Sequence, residues 1–128
     1  MQPREAMQPG MQIRELRSNE VTFTLEIEDE DIPVRGNAIV SGDDEYDRQI
    51  ENELIQRLEN GDLWAWCFVR VRATWGEFSG EDCLGGCSYR DEADFKRDGY
   101  FDDMKERALE ELNARVRASF DAVSTLIG

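Results

Sequence analysis

Carboxylates dominate the polar side chains of this chain. It has 29 Asp and Glu residues against 15 Lys and Arg, no histidine, and a formal net charge of −14 in 128 residues. Two neighbouring carboxylates can act as general acid and general base, but in so acidic a chain such pairs arise by chance. The absence of histidine removes the commonest general base and the usual serine and cysteine triads. The sequence therefore predicts a binding protein without catalytic residues, not an enzyme.

Two short, dense acidic clusters stand out. They comprise Asp29, Glu30, Asp31, Asp43, Asp44, Glu45 and Asp47. Their carboxylates repel nucleic acid and anionic membranes and attract basic protein surfaces. Rows of carboxylates can also imitate the phosphates of a nucleic acid in the basic groove of a protein that binds it. We predict that these seven residues contact a basic partner; the alternative is that they are ordinary solvated surface.

The three cysteines do not complete a metal site. Cys83 and Cys87 have three residues between them, but a tetrahedral zinc site needs four ligands and only Cys67 adds a third. The chain also lacks a P-loop and a dinucleotide-binding fingerprint, so we expect no metal and no cofactor. Reduced cysteines within strands are the favoured interpretation.

Trp64 and Trp66 alternate with small residues and are followed by Arg70 and Arg72. An aromatic pair beside basic residues can stack on nucleic-acid bases. Because two arginines are few against the net charge of −14, packing in the core or in an interface is favoured instead.

The hydrophobic pattern predicts an α+β domain. Apolar residues alternate with polar ones in the predicted strands and recur every three or four residues in the predicted helices. The expected elements are a strand over 21–28, a strand over 34–40, a helix from Ser41 to Gly61, a strand over 63–75, a strand over 82–89, a short helix through Phe95 and a long helix over 101–123. This ββαββαα order predicts a mostly antiparallel four-stranded sheet with helices packed on one face.

Three local expectations accompany these elements. The strand over 63–75 should lie inside the sheet, because its first half is apolar on both faces. Its arginines should face acids such as Glu26 and Glu28 on a neighbouring strand. Residues 76–80 should turn the chain, and Glu51 falls within the apolar arc of its helix, a conflict that the sequence does not resolve.

Residues 1–20 are expected to form a flexible N-terminal tail, and residues 21–128 a single domain. The repeat of Met1–Pro3 as Met7–Pro9 has no periodic apolar face, and Met1, Met7 and Met11 are candidate translation starts. Neither a membrane-spanning apolar run nor a signal-peptide core is evident, so the cytoplasm is the expected location.

Five segments between Val40 and Leu112 form a specific combination of motifs. They are Glu59–Cys67, Val69–Val71, Leu84–Tyr89, Asp94-Phe95 and Gly99–Met104. Together they resemble a family of small acidic proteins encoded by tailed bacteriophages and prophages. The resemblance supplies no catalytic or binding residues. It implies an accessory protein made inside a bacterium, and small acidic phage proteins include many inhibitors of host defence, among them anti-CRISPR and anti-restriction proteins.

The charge and the resemblance together predict a phage accessory protein that inhibits a host nucleic-acid-binding defence complex, as anti-CRISPR proteins do. Its partner would be a basic host protein or ribonucleoprotein, such as a CRISPR effector, in the host bacterial cytoplasm. Direct contact with nucleic acid or a membrane is not expected. The alternative is a self-associating structural or scaffold phage protein, whose aromatic strand and long helix form a homo-oligomer. An enzyme or nucleotide-binding protein would lack any recognisable motif.

Overall fold

A small antiparallel sheet with a long helix on one face forms the centre of the molecule, as described for residues 13–127 by a computed structural model. The elements are β1 (Thr22–Asp29), α1 (Asp44–Glu59), β2 (Cys67–Trp75), β3 (Phe78–Cys87), α2 (Glu92–Arg97) and α3 (Tyr100–Ile127), with 3-10 turns at Ser18–Glu20 and Leu63–Ala65. β2 lies between β1 and β3, and both pairings are antiparallel.

The predicted four-stranded sheet is wrong: residues 13–127 form a three-stranded sheet, and the element order is βαββαα. The missing strand is 34–40, which forms a turn instead. The N–H groups of Asn37 and Ala38 both donate to the Val34 carbonyl oxygen, at 3.1 and 3.0 Å. Gly36, within this turn, has a φ of 79°, and Val40 is 82% exposed. These local hydrogen bonds satisfy the backbone, and the apolar residues of the segment do not share one buried face.

Alternate residues of β2 lie on a buried face and on an open face of the sheet. Alternate residues from Cys67 to Ala73 are fully buried, and they pack against Met104, Ala108 and Leu112 of α3. Burying a valine, leucine or methionine side chain contributes about 1.5–3 kcal/mol relative to leaving it in water. This contact orients the sheet, so that the intervening residues of β2 face away from α3.

Gly80 lets α3 approach β3 closely. A Cβ atom at this position would lie 2.3 Å from the backbone nitrogen of Leu112 and 2.4 Å from the carbonyl oxygen of Ala108. Gly80 therefore belongs to a packed strand and not to the predicted turn over 76–80. The turn consists of the two residues between Trp75 and Phe78, and Trp75 pairs with Phe78.

The segment before β2 turns instead of extending. The Asp62 carboxylate accepts a hydrogen bond from the backbone N–H of Trp64 at 3.2 Å, which stabilises the 3-10 turn Leu63–Ala65. An aspartate in this position commonly begins such a turn, because its side chain replaces the missing backbone acceptor. The strand predicted from residue 63 therefore begins at Cys67.

The segment before β1 contacts α3 through Glu15 and Leu16. The side-chain amide of Asn113 accepts a hydrogen bond from the backbone N–H of Leu16 at 2.8 Å and donates one to its carbonyl oxygen at 3.2 Å. The carboxylate of Glu15 lies 4.0 Å from the guanidinium of Arg117. The first twelve residues of the predicted tail lie outside the described residues, so its flexibility stays a prediction.

Candidate protein-binding surface

The first acidic cluster, Asp29 to Asp31, lies where β1 ends. Asp29 and Asp31 are exposed, whereas Glu30 is half-buried. The Glu30 carboxylate accepts hydrogen bonds from the backbone N–H groups of Ile32 and Gly86. Glu30 thus attaches this cluster to the end of β3, and it leaves the two aspartates pointing into solvent.

The second acidic cluster, Asp43 to Asp47, begins α1. Asp43 is the N-cap residue and accepts a hydrogen bond from the Tyr46 N–H at 3.1 Å. Asp47 accepts a hydrogen bond from the Ser41 N–H at 3.1 Å. Asp44 and Glu45 are exposed in the first helical turn, where the helix dipole stabilises negative charge. The helix start predicted from Ser41 to Asp47 is confirmed, and it orders the carboxylates of this cluster.

No cation within residues 13–127 lies within 4.0 Å of a carboxylate of either cluster, although Arg48 lines the same groove of α1 as Asp43 and Glu45. Of the 15 Lys and Arg residues, Arg4 lies outside the described range, and twelve of the other fourteen pair with described carboxylates within 4.0 Å. None of these pairs involves any of the seven predicted carboxylates. No described hydrogen bond joins the first cluster to the second, so the structure does not bring all seven into one contact network.

The open face of the sheet has the opposite arrangement. Arg72 lies 3.3 Å from Glu26 and 2.8 Å from Glu81, and Arg70 lies 3.6 Å from Glu26 and 3.4 Å from Glu81. Arg70 also pairs with Glu28. The predicted contacts of the arginines with Glu26 and Glu28 are therefore confirmed, and Glu81 is an additional partner that the sequence did not identify.

The ion pairs on this face hold its charges in place. A hydrogen bond from Arg72 holds the pKa of Glu81 below its ordinary value. The hydrogen bond to Glu28 raises the pKa of Arg70, and the hydrogen bond to Glu81 raises that of Arg72. Since both guanidinium groups are engaged by carboxylates of their own sheet, they are poorly placed to bind phosphate.

The two tryptophans pack into the protein and do not form a stacking platform. The ring of Trp64 lies 5.6 Å from that of Phe95, and Trp66 is only 6% exposed. The indole N–H of Trp66 donates to the Ile32 carbonyl oxygen at 2.7 Å. This burial favours the packing interpretation of the pair over nucleic-acid stacking.

Glu51 connects the loop between the two clusters to α1. It is 8% exposed and accepts hydrogen bonds from the Gly36 N–H at 2.8 Å and from Arg35 at 3.2 Å. A buried carboxylate is stable when it is hydrogen-bonded and paired. This contact resolves the conflict in the helical pattern: Glu51 faces inward because a turn distant in sequence provides its donors.

Cysteine chemistry is limited in the described residues. Cys67 and Cys87 are buried and lie opposite each other on neighbouring strands, whereas Cys83 is exposed, and all three are free thiols. Burial raises the pKa of Cys67 to about 12 and that of Cys87 to about 11, so both stay protonated and unreactive near neutral pH. Within residues 13–127, no group of three or more His, Cys, Asp or Glu side chains is arranged to hold a metal ion.

No helix in the described part of the chain is both long enough and apolar enough to cross a membrane. Among models of known protein families, curated proteins and solved structures, we find none that matches this chain.

Proposed function

We propose that this protein is a non-catalytic phage accessory protein that inhibits a host nucleic-acid-binding defence complex, in the manner of anti-CRISPR proteins. It binds the basic surface of that complex through the two acidic clusters and imitates nucleic acid there. The observation that supports this function is that no described cation lies within 4.0 Å of any of the seven carboxylates, while twelve basic side chains are paired elsewhere. The phage origin and the anti-defence role rest on the resemblance of the motif segments.

Unpaired carboxylates on ordered backbone suit this function for a physical reason. Ion pairs with a partner replace no internal pair, so binding does not break a contact that stabilises the free protein. The long-range field of the net charge of −14 also accelerates encounter with a basic surface. We expect association to be fast at low ionic strength and to slow as salt screens the carboxylates.

The test uses four carboxylates that make no described hydrogen bond or ion pair. The variant carries Asp29→Lys, Asp31→Lys, Asp44→Lys and Glu45→Lys. Asp43 and Asp47 are left unchanged, because their hydrogen bonds stabilise the start of α1. Wild type and variant are used as bait in a bacterial lysate at low salt, and association with any captured protein is measured over a range of salt concentrations. We expect the variant to associate at least about tenfold more slowly.

The matched control reverses four exposed carboxylates that lie outside the clusters and make no described ion pair. It carries Glu53→Lys, Glu59→Lys, Glu77→Lys and Asp121→Lys. Both variants change the net charge equally, so equal loss of binding would contradict an interface at the clusters. Release of the captured protein by added DNA or RNA supports mimicry. Tight, salt-resistant binding of the wild-type chain itself to single-stranded DNA would refute the proposal.

The self-associating alternative has its own observation. The last turns of α3 expose apolar side chains, with Val123 53%, Leu126 86% and Ile127 81% exposed. A contiguous apolar surface of this kind commonly marks an interaction site. Light scattering across a range of concentrations discriminates the two functions: a stable oligomer without a lysate partner favours the scaffold, and a monomer that captures a basic protein favours the inhibitor.

A further inference from the structure

The two edges of the sheet differ in how their backbone groups are satisfied. At the β3 edge, Glu111 of α3 accepts a hydrogen bond from the Glu81 N–H at 2.8 Å, and Arg115 donates one to the Ser79 carbonyl oxygen at 3.0 Å. An edge strand whose N–H and C=O groups stay unpaired is a template for another strand. Side chains of α3 therefore close part of the β3 edge.

The groups on the outer edge of β1 follow from the alternation of an antiparallel ladder. Glu81 directs its N–H away from β2, so it forms a non-hydrogen-bonded pair with Arg72. Arg72 therefore directs its backbone groups toward β1, where its partner is Thr24. Alternate residues of β1 then direct their N–H and C=O groups outward. These residues are Phe23, Leu25 and Ile27.

No described residue forms a hydrogen bond with these outward groups, and no strand of residues 13–127 lies beyond β1. β1 pairs with β2 through all eight of its residues without a register shift. It also contains neither proline nor glycine, the residues that commonly interrupt an edge. The outer edge of β1 is thus a regular, open template for strand addition.

The two sides of this edge differ in chemistry. On the open face, the side chains of Glu26 and Glu28 are 41% and 50% exposed. Together with Glu81 they share only two arginines, Arg70 and Arg72, so their ion pairs leave one surplus negative charge on this face. On the opposite face, a groove of about 180 Å³ adjoins Phe23. The groove is lined by Ser18, Phe23, Asp102, Lys105, Glu106 and Leu109. Since successive side chains of a strand point to opposite faces, an added strand would place alternate residues beside the carboxylates and over the groove, where Phe23 and Leu109 are the apolar lining residues.

We propose that the outer edge of β1 binds an extended segment of a partner protein as a fourth strand, and that this segment alternates Lys or Arg with aliphatic residues. The surface goes beyond the proposed function, because it uses the backbone of β1 and not the exposed carboxylates of the two clusters. A second copy of this chain fits the edge less well: pairing β1 with β1 would bring like charges together, and each copy has a net charge of −14.

The probe is a capped synthetic peptide of alternating lysine and valine, eight residues long like β1. Binding to the full chain is measured by fluorescence anisotropy, and amide hydrogen exchange is followed by NMR with and without peptide. At saturation we expect the amides of Phe23, Leu25 and Ile27 to exchange at least about tenfold more slowly, because hydrogen-bonded amides exchange only when they open. The amides of Thr24 and Glu26, which already face β2, should change little.

Two N-methylated peptides separate strand addition from simple charge attraction. One carries the methyl groups on the backbone nitrogens of its valines and the other on the backbone nitrogens of its lysines. The lysine side chains are unchanged, so both peptides keep the full positive charge. Strand addition requires the N–H groups of only one set, so one peptide should bind at least about tenfold more weakly and the other should bind nearly as well as the parent. Equal binding of all three peptides would overturn the proposal.

Matched variants locate the site. Glu26→Gln with Glu28→Gln should weaken peptide binding more than Glu53→Gln with Glu59→Gln, which removes the same charge from α1. Asp44→Lys with Glu45→Lys should leave the protection pattern unchanged, so failure of the acidic-cluster interface and failure of this proposal are distinguishable. Strong protection of Phe23, Leu25 and Ile27 in the free chain would overturn the proposal, since the edge would already be occupied by residues 1–12 or by a second copy.

Discussion

The open face of the sheet and the two acidic clusters both contain carboxylate side chains, but only those on the sheet face are paired with described cations. Glu26 and Glu81 lie 2.8–3.6 Å from the guanidinium groups of Arg70 and Arg72, whereas Asp29 and Asp44 have no described cation within 4.0 Å. The difference arises because antiparallel pairing brings strands of opposite charge pattern side by side, whereas a loop and a helix start have no such neighbour. Overall charge therefore does not indicate which carboxylates are free to bind a partner.

The two regions should also contribute differently to stability. An exposed ion pair contributes roughly 0–1 kcal/mol, and a network of pairs with shared partners stands at the upper end of that range. Unpaired carboxylates near one another repel, and salt reduces this repulsion. We therefore expect the sheet face to stabilise the fold and the exposed aspartates to be neutral or slightly destabilising.

The largest effect should come from the contact that orients the sheet. Gly80→Ala would place a methyl group against backbone atoms of α3 at 2.3 and 2.4 Å, and backbone cannot move aside as a side chain can. We expect the free energy of unfolding to fall by about 3 kcal/mol, measured by urea denaturation. Gly85→Ala in the same strand is the control, since its nearest neighbour is the flexible end of Glu30 at 3.0 Å. Equal costs for the two substitutions would contradict the close approach of α3.

A smaller effect should divide the second cluster into structural and free carboxylates. Asp43→Ala removes the cap of α1, whose carboxylate accepts the Tyr46 N–H, and should lower the free energy of unfolding by about 1 kcal/mol. Asp44→Asn keeps the cap and should cost at most about 0.5 kcal/mol through the helix dipole. Circular dichroism with thermal unfolding measures both losses of stability. A larger loss for Asp44→Asn would show that Asp43 is not the residue that caps α1.

The ion pairs on the open face of the sheet should make the stability of the protein depend on pH. The pKa of Glu81 is held below its ordinary value of 4.5 by Arg72, so the unfolded chain takes up this proton first as the pH falls. The stability that Glu81 provides is therefore complete above about pH 4.5 and is lost as the pH falls through its folded pKa. Glu81→Gln should cost up to about 1 kcal/mol at pH 7.

Denaturation of wild type and Glu81→Gln at a series of pH values measures this effect. The difference between the two proteins should stay constant near neutrality and shrink in acid. Adding Arg72→Met to both proteins should reduce the pH dependence of the difference, and Arg70, 3.4 Å from Glu81, should retain the rest. A difference that persists unchanged into strong acid would show that Glu81 acts through packing and not through its charge.

The smallest effect should come from the first acidic cluster. Asp29→Asn with Asp31→Asn removes two exposed charges that make no described contact, and should change the free energy of unfolding by less than about 0.5 kcal/mol. The same substitutions should nevertheless slow association with the proposed basic partner, measured at low salt. A stability loss comparable to that of Glu81→Gln would mean that these aspartates are structural, and the contrast between the two regions would fail.

Elements with strong local patterns could be predicted from the sequence. The alternation from Val21 to Glu28 identified β1, the aspartates after Ser41 identified the start of α1, and the apolar spacing after Phe101 identified α3. The segment 34–40 could not be predicted in this way. Three apolar residues suggest a strand there, but the turn centred on Gly36 satisfies its own backbone groups.

The candidate surface was only partly predictable. The seven acidic residues are evident from composition, and strand alternation alone indicated that Arg70 and Arg72 face Glu26 and Glu28. No signal indicated Glu81 as a further partner of the arginines. The place of Glu51 in the apolar arc of its helix indicated burial, but not the loop that provides its hydrogen-bond donors. Both contacts depend on which segments lie side by side, and the local sequence around a charged residue does not identify its partner.

By itself the sequence determined the charge surplus, the helices, the β1 strand and the central apolar segment, because composition and periodicity act over a few neighbouring residues. Only the tertiary structure decided that the sheet has three strands in the described part of the chain, that Gly80 lies beneath α3, and that Glu81 joins the ion pairs of the arginines. These outcomes join residues such as Gly80 and Leu112, which are 32 positions apart. The close packing of backbone and side chains selects such pairs, and no local pattern specifies them.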